Sequence, residues 1–294
     1  MLANKTDTSK HIALLVDGKN ALYKSIWAIK ADHRRGYKSH YFVAFLRQLT
    51  KWMNEIRPNS VHIFWDAPRS ELWRRTILPT YKERPIKDGD VDITQDLCDL
   101  TTIAKDFAPH MGVRQYYKKC MEADDLIYSA VSVLHPHTTI IMSEDSDMLQ
   151  IPFRFNSCSV INPSKSMEPA VVPSYNPVYF KALVGDRSDN IDGYYGTGPV
   201  RGQAILEDRD TMKAHFSVKG NSIFNKNLTL IDLSMCPQLL ANTIYVRKVL
   251  SDDVSFDKAA LNNLIYKYKI SELLTEFINL LMPFQKLVKT NATS

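Results

Sequence analysis

The chain has 294 residues, of which 45% are hydrophobic and 23% are charged, as in an ordinary globular protein. This length allows one large domain, or one domain with a small added module. We expect no membrane span, because no apolar run is long enough, and no secretory signal, because the first residues are too polar. The widely separated cysteines predict reduced thiols and a cytoplasmic protein, without a zinc knuckle or disulfide scaffold.

Short apolar segments alternate with helical patterns along the chain. Apolar runs that end in acids or turn residues predict strands at 11–18, 60–66, 113–117, 138–147 and 158–162. Apolar residues at helical spacing predict helices at 39–56, 92–108 and 122–134. The alternation of strands and helices predicts an α/β fold with a mostly parallel sheet flanked by helices on both faces.

The helix predicted at 39–56 carries an aromatic stripe. Phe42, Phe45 and Trp52 are among the apolar residues that recur there at helical spacing. Such a stripe is typical of a helix face that packs on a core. We therefore interpret these residues as core and not as a binding surface.

Acidic residues follow the predicted strands. Asp17 ends the first strand and Asp66 the second, and sites in open parallel sheets form beyond the carboxyl ends of the strands. Other acids open the helix before the fourth strand, follow that strand, or follow a later helical segment. The nine acids expected at this edge are Asp17, Asp66, Glu122, Asp124, Asp125, Asp145, Asp147, Asp186 and Asp189.

Taken alone, the acids of the segment 122–125 also fit helix capping, since carboxylates are favoured in the first turn of a helix. Nine acids converging on one edge favour a different interpretation. Carboxylates this close together repel one another unless cations neutralise them. No histidine or cysteine accompanies them at ligand spacing, so the predicted ligands are all oxygen, which suits Mg²⁺ or Mn²⁺.

The remaining charge is strongly basic. Setting nine ligand acids aside leaves 23 of the 32 acids to balance 37 Lys and Arg residues. A basic body around an acidic, metal-binding edge suits a phosphodiester substrate, which two metal ions can clamp during hydrolysis.

Basic residues concentrate in the segment 69–87, directly after Asp66. A solvated loop is one interpretation of this segment. A long insertion at the functional edge of a sheet favours the other, in which it covers the site and a lysine offsets charge that develops on the phosphate. The basic residues are Arg69, Arg74, Arg75, Lys82, Arg84 and Lys87.

Glycines punctuate the segment after Asp189. Gly193, Gly196 and Gly198 precede Pro199 and a further helical pattern, and Arg187 and Arg201 flank them. By itself this spacing fits a simple turn. Its place just after two candidate ligands favours a hairpin whose backbone amides face a phosphate.

These motifs together resemble the flap endonuclease/5′ nuclease family, which includes stand-alone phage enzymes and the 5′-nuclease domain of bacterial DNA polymerase I. The resemblance runs in the family's order from residue 12 to about residue 206. It is carried by VDGKN, WD, LPTYK, EADD, SEDSD, GDRSDN and the glycine hairpin.

The resemblance implies a PIN-like core at 1–184 with a helical arch at about 67–92. It also implies a helix–three-turn–helix module at 185–250, and we expect C-terminal helices at 251–294 to pack on the core. By the resemblance, one metal ion would be held by Asp17, Asp66, Glu122, Asp124 and Asp125. The second would be held by Asp145, Asp147, Asp186 and Asp189. The expected catalytic residues are Lys82, Asp17, Asp66, Asp124 and Asp145.

The resemblance further implies a structure-specific 5′ nuclease, acting as 5′-3′ exonuclease and flap endonuclease with two Mg²⁺ ions or with Mn²⁺ instead. Its substrate would be DNA with a 5′ flap or a 5′ single-stranded end, with RNA–DNA hybrids as further candidates. A K⁺ ion at the glycine hairpin would help to hold the duplex. The expected substrate-binding residues are Tyr23, Lys24, Arg74, Arg75, Tyr81, Arg84, Gly193, Gly196, Gly198 and Arg201.

Some features depart from the family's pattern or leave alternatives open. Ser146 stands between the paired acids where the family has glycine or lysine, and we expect the neighbouring Glu144 to face away. Pro85 limits a helix after Lys82. Tyr23 fits either base stacking or plain helix core beside Trp27.

Two other functions fit the same fold. One is a binding-only protein for branched DNA, and the other is a PIN-type ribonuclease or primer-removing nuclease. The nine acids disfavour the first, and the glycine hairpin with Lys82 disfavours the second. We expect a monomer without membrane contact, with a polymerase or a single-strand-binding protein as candidate partners.

Overall fold

The computed structural model describes residues 11–31, 38–83, 92–134, 137–194, 196–208 and 222–291. Within them a parallel five-stranded sheet lies at the centre, in the order β3-β2-β1-β4-β5. This confirms the predicted parallel sheet. The strands are β1 (Ile12–Asp17), β2 (Ser60–Trp65), β3 (Arg114–Tyr117), β4 (Thr138–Met142) and β5 (Cys158–Ile161).

The first helices connect the strands or cover the sheet. They are α1 (Gly18–Ala31), α2 (Lys38–Ile56), α3 (Thr94–Phe107), α4 (Ala123–Leu134) and the short α5 (Gln150–Arg154). A small antiparallel hairpin of β6 (Gly185–Asp186) and β7 (Ile191–Asp192) follows the next helix. The later helices are α6 (Pro177–Val184), α7 (Pro199–Glu207), α8 (Ser222–Ile231), α9 (Leu239–Ser251), α10 (Lys258–Tyr268), α11 (Glu272–Leu280) and α12 (Gln285–Asn291).

Alternate residues of β1 face opposite sides of the sheet. Leu14 and Val16 lie in a buried cluster with α1, α2 and α3, whereas Ala13 and Leu15 lie in another with α4 and α9. This alternation follows from the period of two along a strand. Both faces of the sheet are therefore covered, as a parallel sheet requires.

The aromatic stripe of α2 is core. Phe42, Phe45 and Trp52 are at most 3% exposed, in the cluster that also includes buried residues of α10, α11 and α12. Thr50 of α2 donates a hydrogen bond to the carbonyl oxygen of Leu280 at 3.1 Å. The last helices thus pack on the same face of the sheet as α2.

The described helices of the segment 185–250 contribute to two buried clusters. Helices α6, α7 and α8 share a small buried cluster around Leu183. Helix α9 instead places Val246 in the cluster that covers the sheet beside α4. Helix α9 therefore packs in the layer over the central sheet.

The segment predicted as an arch begins with short 3₁₀ turns at Arg69–Glu71 and Trp73–Thr76. Residues 84–91 lie outside the described residues, so the predictions for Arg84 and Pro85 are not addressed by the structure. Among the helices that the structure describes, none has the length and apolar character needed to cross a membrane.

Candidate functional site

Five of the predicted acids meet at the carboxyl edge of the sheet because of the strand order. Asp17 is the last residue of β1, Asp66 follows β2 and Asp145 lies three residues beyond β4, and these strands are neighbours. Glu122 and Asp124 lie at the start of α4, which follows the adjacent β3. Parallel strands end at one edge, so their acids come together there.

Hydrogen bonds fix the first acids in place. The carboxylate of Asp66 accepts from the backbone amide of Ala123 at 2.8 Å, which ties the end of β2 to the first turn of α4. Its other oxygen accepts from Nζ of Lys19 at 3.1 Å. Asp17 accepts from the backbone amide of Asn20 at 3.0 Å.

The other acids form a compact cluster beside this group. Asp147, Asp186 and Asp189 each offer one carboxylate oxygen, and these oxygens lie within 4.8 Å of one another. Asp145 accepts from the backbone amide of Asp147 at 2.8 Å and so caps the turn that carries it. Nζ of Lys181 contacts Asp147 and lies 2.7 Å from Asp186.

Burial and mutual repulsion oppose ionisation of several of these acids. Burial, followed by repulsion from Asp66, raises the pKa of Asp17 to about 7. Burial and then Asp145 raise the pKa of Asp124 well above its ordinary value. Burial also raises the pKa of Asp145 and of Asp189. A divalent cation at this edge would reverse these shifts by favouring the charged carboxylates.

The donor set fits a hard divalent cation. Every candidate ligand in the two groups is a carboxylate oxygen, and the described cluster of Asp147, Asp186 and Asp189 is already compact enough for one ion. Oxygen donors of this kind suit Mg²⁺ and Mn²⁺.

Lys82 reaches into this edge. Its Nζ lies 2.6 Å from Glu122 and 3.8 Å from Asp189. Burial alone would lower the pKa of Lys82, but attraction to Glu122 raises it well above its ordinary value, so the ammonium stays charged. Burial alone would raise the pKa of Glu122, but Lys82 and Arg74 lower it to about 2.

The expected roles of Arg74 and Asp125 require correction. Arg74 is only 2% exposed and Asp125 is fully buried. The guanidinium donates to both oxygens of Asp125, at 2.8 and 2.9 Å, and to Glu122 at 2.6 Å. Trp73 also donates to Asp125, at 3.1 Å. Buried charges need such partners, and in this structure Asp125 and Arg74 neutralise each other as a buried ion pair. Burial keeps Arg74 away from the surface that a substrate could contact.

Tyr81 is likewise buried, at 3% exposure, and not open to substrate. Its hydroxyl donates towards Glu122 at 3.1 Å and towards Asp189 at 3.0 Å, so it bridges the two acid groups. Arg75 is half-buried and donates to the carbonyl oxygen of Tyr81 at 3.1 Å. Both residues support the turn that carries Lys82.

Helix α1 presents Tyr23 outward. Tyr23 is 48% exposed and lies beside the exposed ring of Trp27, with 6.1 Å between ring centroids, so the alternative of a plain core residue does not hold. Lys24 instead pairs with Glu144 at 2.8 Å. Lys24 is thus the counter-ion of Glu144, and this ion pair competes with any contact between Lys24 and substrate.

The hairpin glycines have different local roles. A side chain on Gly193 would lie 2.2 Å from the carbonyl oxygen of Val184, so this position needs glycine for close backbone packing. Gly196 has a φ of +70°, which glycine adopts readily. Gly198 precedes α7, and the exposed Arg201 donates to the carbonyl oxygen of Gly196 at 3.3 Å.

Sequence reasoning missed Lys19, Lys181 and Asn190 as parts of this edge. Lys19 lies two residues after Asp17, and Lys181 five residues before Asp186, so closeness to candidate ligands was an available signal. Asn190 directly follows Asp189, but nothing in the sequence indicates that its amide bonds the segment around Lys82.

Comparisons with known proteins agree with this geometry. Residues 12–176 match the family model described as the 5′-3′ exonuclease, N-terminal resolvase-like domain. The 5′-3′ exonuclease of Mycoplasma genitalium is 24% identical over 296 residues, which cover 90% of this chain and 98% of the relative. DNA polymerase I of Streptococcus pneumoniae is 23% identical over 217 residues, which cover 68% of this chain and 24% of the polymerase.

A solved structure has the same fold. It is the bacteriophage T5 flap endonuclease in a pseudo-enzyme–product complex with DNA and metal ions, and it matches with a TM-score of 0.59 and 17% identity over 89% of this chain and 100% of its own. The family model covers more than half of the chain, in the region that contains seven of the nine acids. The chain belongs to the 5′-3′ exonuclease family.

Proposed function

We propose that this protein is a divalent-metal-dependent, structure-specific 5′ nuclease that hydrolyses phosphodiester bonds near junctions of single-stranded and duplex DNA. One observation carries the proposal. Carboxylates from β1, β2, α4, the segment after β4 and the β6–β7 hairpin converge on one sheet edge, with Nζ of Lys82 at 2.6 Å from Glu122. The family supports nuclease chemistry, and the DNA and metal ions of the T5 complex support the substrate and cofactor class.

Two groups of acids would hold two metal ions. Asp17, Asp66, Glu122 and Asp124 would form one group, and Asp145, Asp147, Asp186 and Asp189 the other. We propose Mg²⁺ as the ion, with Mn²⁺ as a substitute, because all the donors are carboxylate oxygens. Ions at such sites supply an activated water and offset negative charge on the phosphate.

The protein's own residues would orient the substrate. The charged Lys82, tethered to Glu122, would offset charge that develops on the scissile phosphate. The exposed ring of Tyr23 offers a stacking surface for a base near the junction. These contacts read shape and backbone rather than base sequence.

The glycine segment 193–198 would bind the duplex backbone. Gly196 and Arg201 lie at its exposed side, and Oγ1 of the buried Thr197 has no hydrogen-bond partner among the residues that the structure describes. An oxygen in that position supports the proposal of a K⁺ ion at this turn. RNA–DNA hybrids as substrates, the monomeric state, and a polymerase or single-strand-binding partner stay predictions.

Cleavage of a 5′-labelled DNA flap tests the proposed function. In Mg²⁺ we expect product ending near the junction, and no product in EDTA. The variant Asp145→Asn/Asp147→Asn should lose cleavage and keep flap binding, because it removes two anionic ligands but no basic contact. Tight flap binding by the wild type without cleavage in Mg²⁺ or Mn²⁺ would instead identify a binding-only protein.

A further inference from the structure

Two turns meet at the functional edge. The first spans 80–83 and is closed by a hydrogen bond from the amide of Glu83 to the carbonyl oxygen of Thr80, at 3.0 Å. It carries Lys82, whose φ of +53° is unusual for a residue with a side chain. The second turn, 186–190, carries Asp186 and Asp189 and is closed by a bond of 3.2 Å between their backbones. It ends at Asn190, whose φ is +59°.

Asn190 joins these turns through its side chain. Nδ2 donates to the carbonyl oxygen of Thr80 at 2.8 Å and to that of Glu83 at 2.6 Å. The amide of Lys82 donates to the carbonyl oxygen of Asp189 at 3.2 Å. The side-chain amide of Asn190 is thus hydrogen-bonded to both ends of the turn 80–83. That turn is also hydrogen-bonded to the backbone of Asp189.

We propose that Asn190 is a positioning residue that holds Lys82 against the acid edge. The proposal rests on the proposed nuclease function for its catalytic readout. A left-handed conformation is unfavourable at a residue with a side chain, and at Lys82 it persists only where neighbouring contacts impose it. The two bonds from Asn190 impose it. Without them the turn can relax, and Nζ loses its fixed place beside Glu122.

The chemistry of the amide makes the contact specific. Both partners are carbonyl oxygens, so only a donor with two N–H groups can bond both from one atom. Neither a glycine nor an aspartate can replace the bonds. Glycine, however, adopts the positive φ of position 190 without strain, so Asn190→Gly removes the amide and leaves the backbone free to keep its path.

The test uses Asn190→Gly, Lys82→Ala and the double variant. We expect Asn190→Gly to lower the single-turnover cleavage rate about 10–100-fold, since misplacement of a catalytic group by about 1 Å can have effects of this size. Its affinity for flap DNA in Ca²⁺ should change less than about 3-fold. In the Lys82→Ala background, Asn190→Gly should change the rate less than about 2-fold, because the lysine that it positions is absent.

A control and a second readout complete the design. Lys269 also has a positive φ, of +54°, at the end of α10 and outside the site, so Lys269→Gly should leave the cleavage rate unchanged. Amide hydrogen exchange of the peptide at 78–83 should quicken in Asn190→Gly and not in Lys269→Gly, without DNA or metal.

The outcomes separate the two proposals. Multiplicative losses from Asn190→Gly and Lys82→Ala, or unchanged exchange at 78–83, would overturn the positioning role even if the wild type cleaves normally. Faster exchange at 78–83 in Asn190→Gly, together with a wild type that never cleaves, would support the positioning role and overturn the nuclease function instead.

Discussion

Burial and a neighbouring carboxylate shift the pKa of Lys82 in opposite directions. Burial disfavours the charge of Lys82, yet Glu122 at 2.6 Å keeps the ammonium protonated. In turn, Lys82 and Arg74 lower the pKa of Glu122 to about 2, although burial alone would raise it. The pair therefore stays ionised near neutral pH. A fixed positive charge beside the acid edge is what a phosphate in that place would need.

Replacing Lys82 separates chemistry from binding. We expect Lys82→Ala to lower the single-turnover cleavage rate about 10²–10³-fold, because it removes charge stabilisation of the transition state. The dissociation constant for flap DNA should change less than about 3-fold. Lys267, an exposed lysine paired with Asp106, provides the control Lys267→Ala, which should retain the rate. Equal losses of rate and affinity in Lys82→Ala would assign the lysine to substrate binding.

At the scale of elements, Arg74 links three parts of the fold. It belongs to the 3₁₀ turn Trp73–Thr76, pairs with Glu122 and Asp125 at the start of α4, and donates from Nε to the carbonyl oxygen of Leu230 in α8 at 2.7 Å. The base of the arch segment is thus attached at once to the sheet layer and to the small helical cluster.

Loss of this arginine should destabilise the whole chain. Arg74→Met leaves the buried carboxylate of Asp125 without its cationic partner and removes one of the two cations that contact Glu122. We therefore expect the free energy of unfolding to fall by about 3–5 kcal/mol. Arg154 makes a comparable two-bond pair with Asp232, but its side chain is 24% exposed. Arg154→Met should therefore cost clearly less. Urea unfolding of both variants measures this difference, and equal costs would argue against burial as its cause.

The elements could be predicted more fully than the contacts between them. Strands β1 and β2 are apolar runs, of which the first ends in Asp17 and the second is followed directly by Asp66, so the local pattern was enough to place both acids at one edge. Arg74 was predicted to face substrate because it lies in a basic segment. Its burial depends on Asp125, which is 51 residues away in the sequence, and no local pattern reports such a pairing. The bonds from Asn190 to the turn at 80–83 are hidden for the same reason.

For the molecule as a whole, repulsion among the carboxylates of the acid edge lowers the stability of the metal-free protein. Burial and like charges raise the pKa of Asp17, Asp124, Asp145 and Asp189. Where the pKa of an acid is higher in the folded chain than in the unfolded chain, the folded chain binds more protons, and stability falls as the pH rises. Lys19 and Lys181 offset only part of this charge.

Asp124→Asn should therefore stabilise the metal-free protein. We expect its melting temperature in EDTA at about pH 8 to exceed that of the wild type by about 2–6 °C, with a smaller difference at about pH 5. Mg²⁺ should raise the melting temperature of the wild type more than that of the variant, because the variant lacks one anionic ligand. If Asp124→Asn is less stable than the wild type in EDTA, repulsion among these carboxylates does not destabilise the metal-free protein.

The strand order also sets when the edge can be completed during synthesis. β1, made first, lies between β2 and β4, so one of its sides stays unpaired until residue 142 has left the ribosome. Asp186 and Asp189 appear later still. A nascent or truncated chain that ends before residue 189 lacks Asp189, so it carries at most part of the acid set. The group of Asp17, Asp66, Glu122 and Asp124 is thus made before the other group is complete, and a chain that ends before residue 189 should lack the complete site.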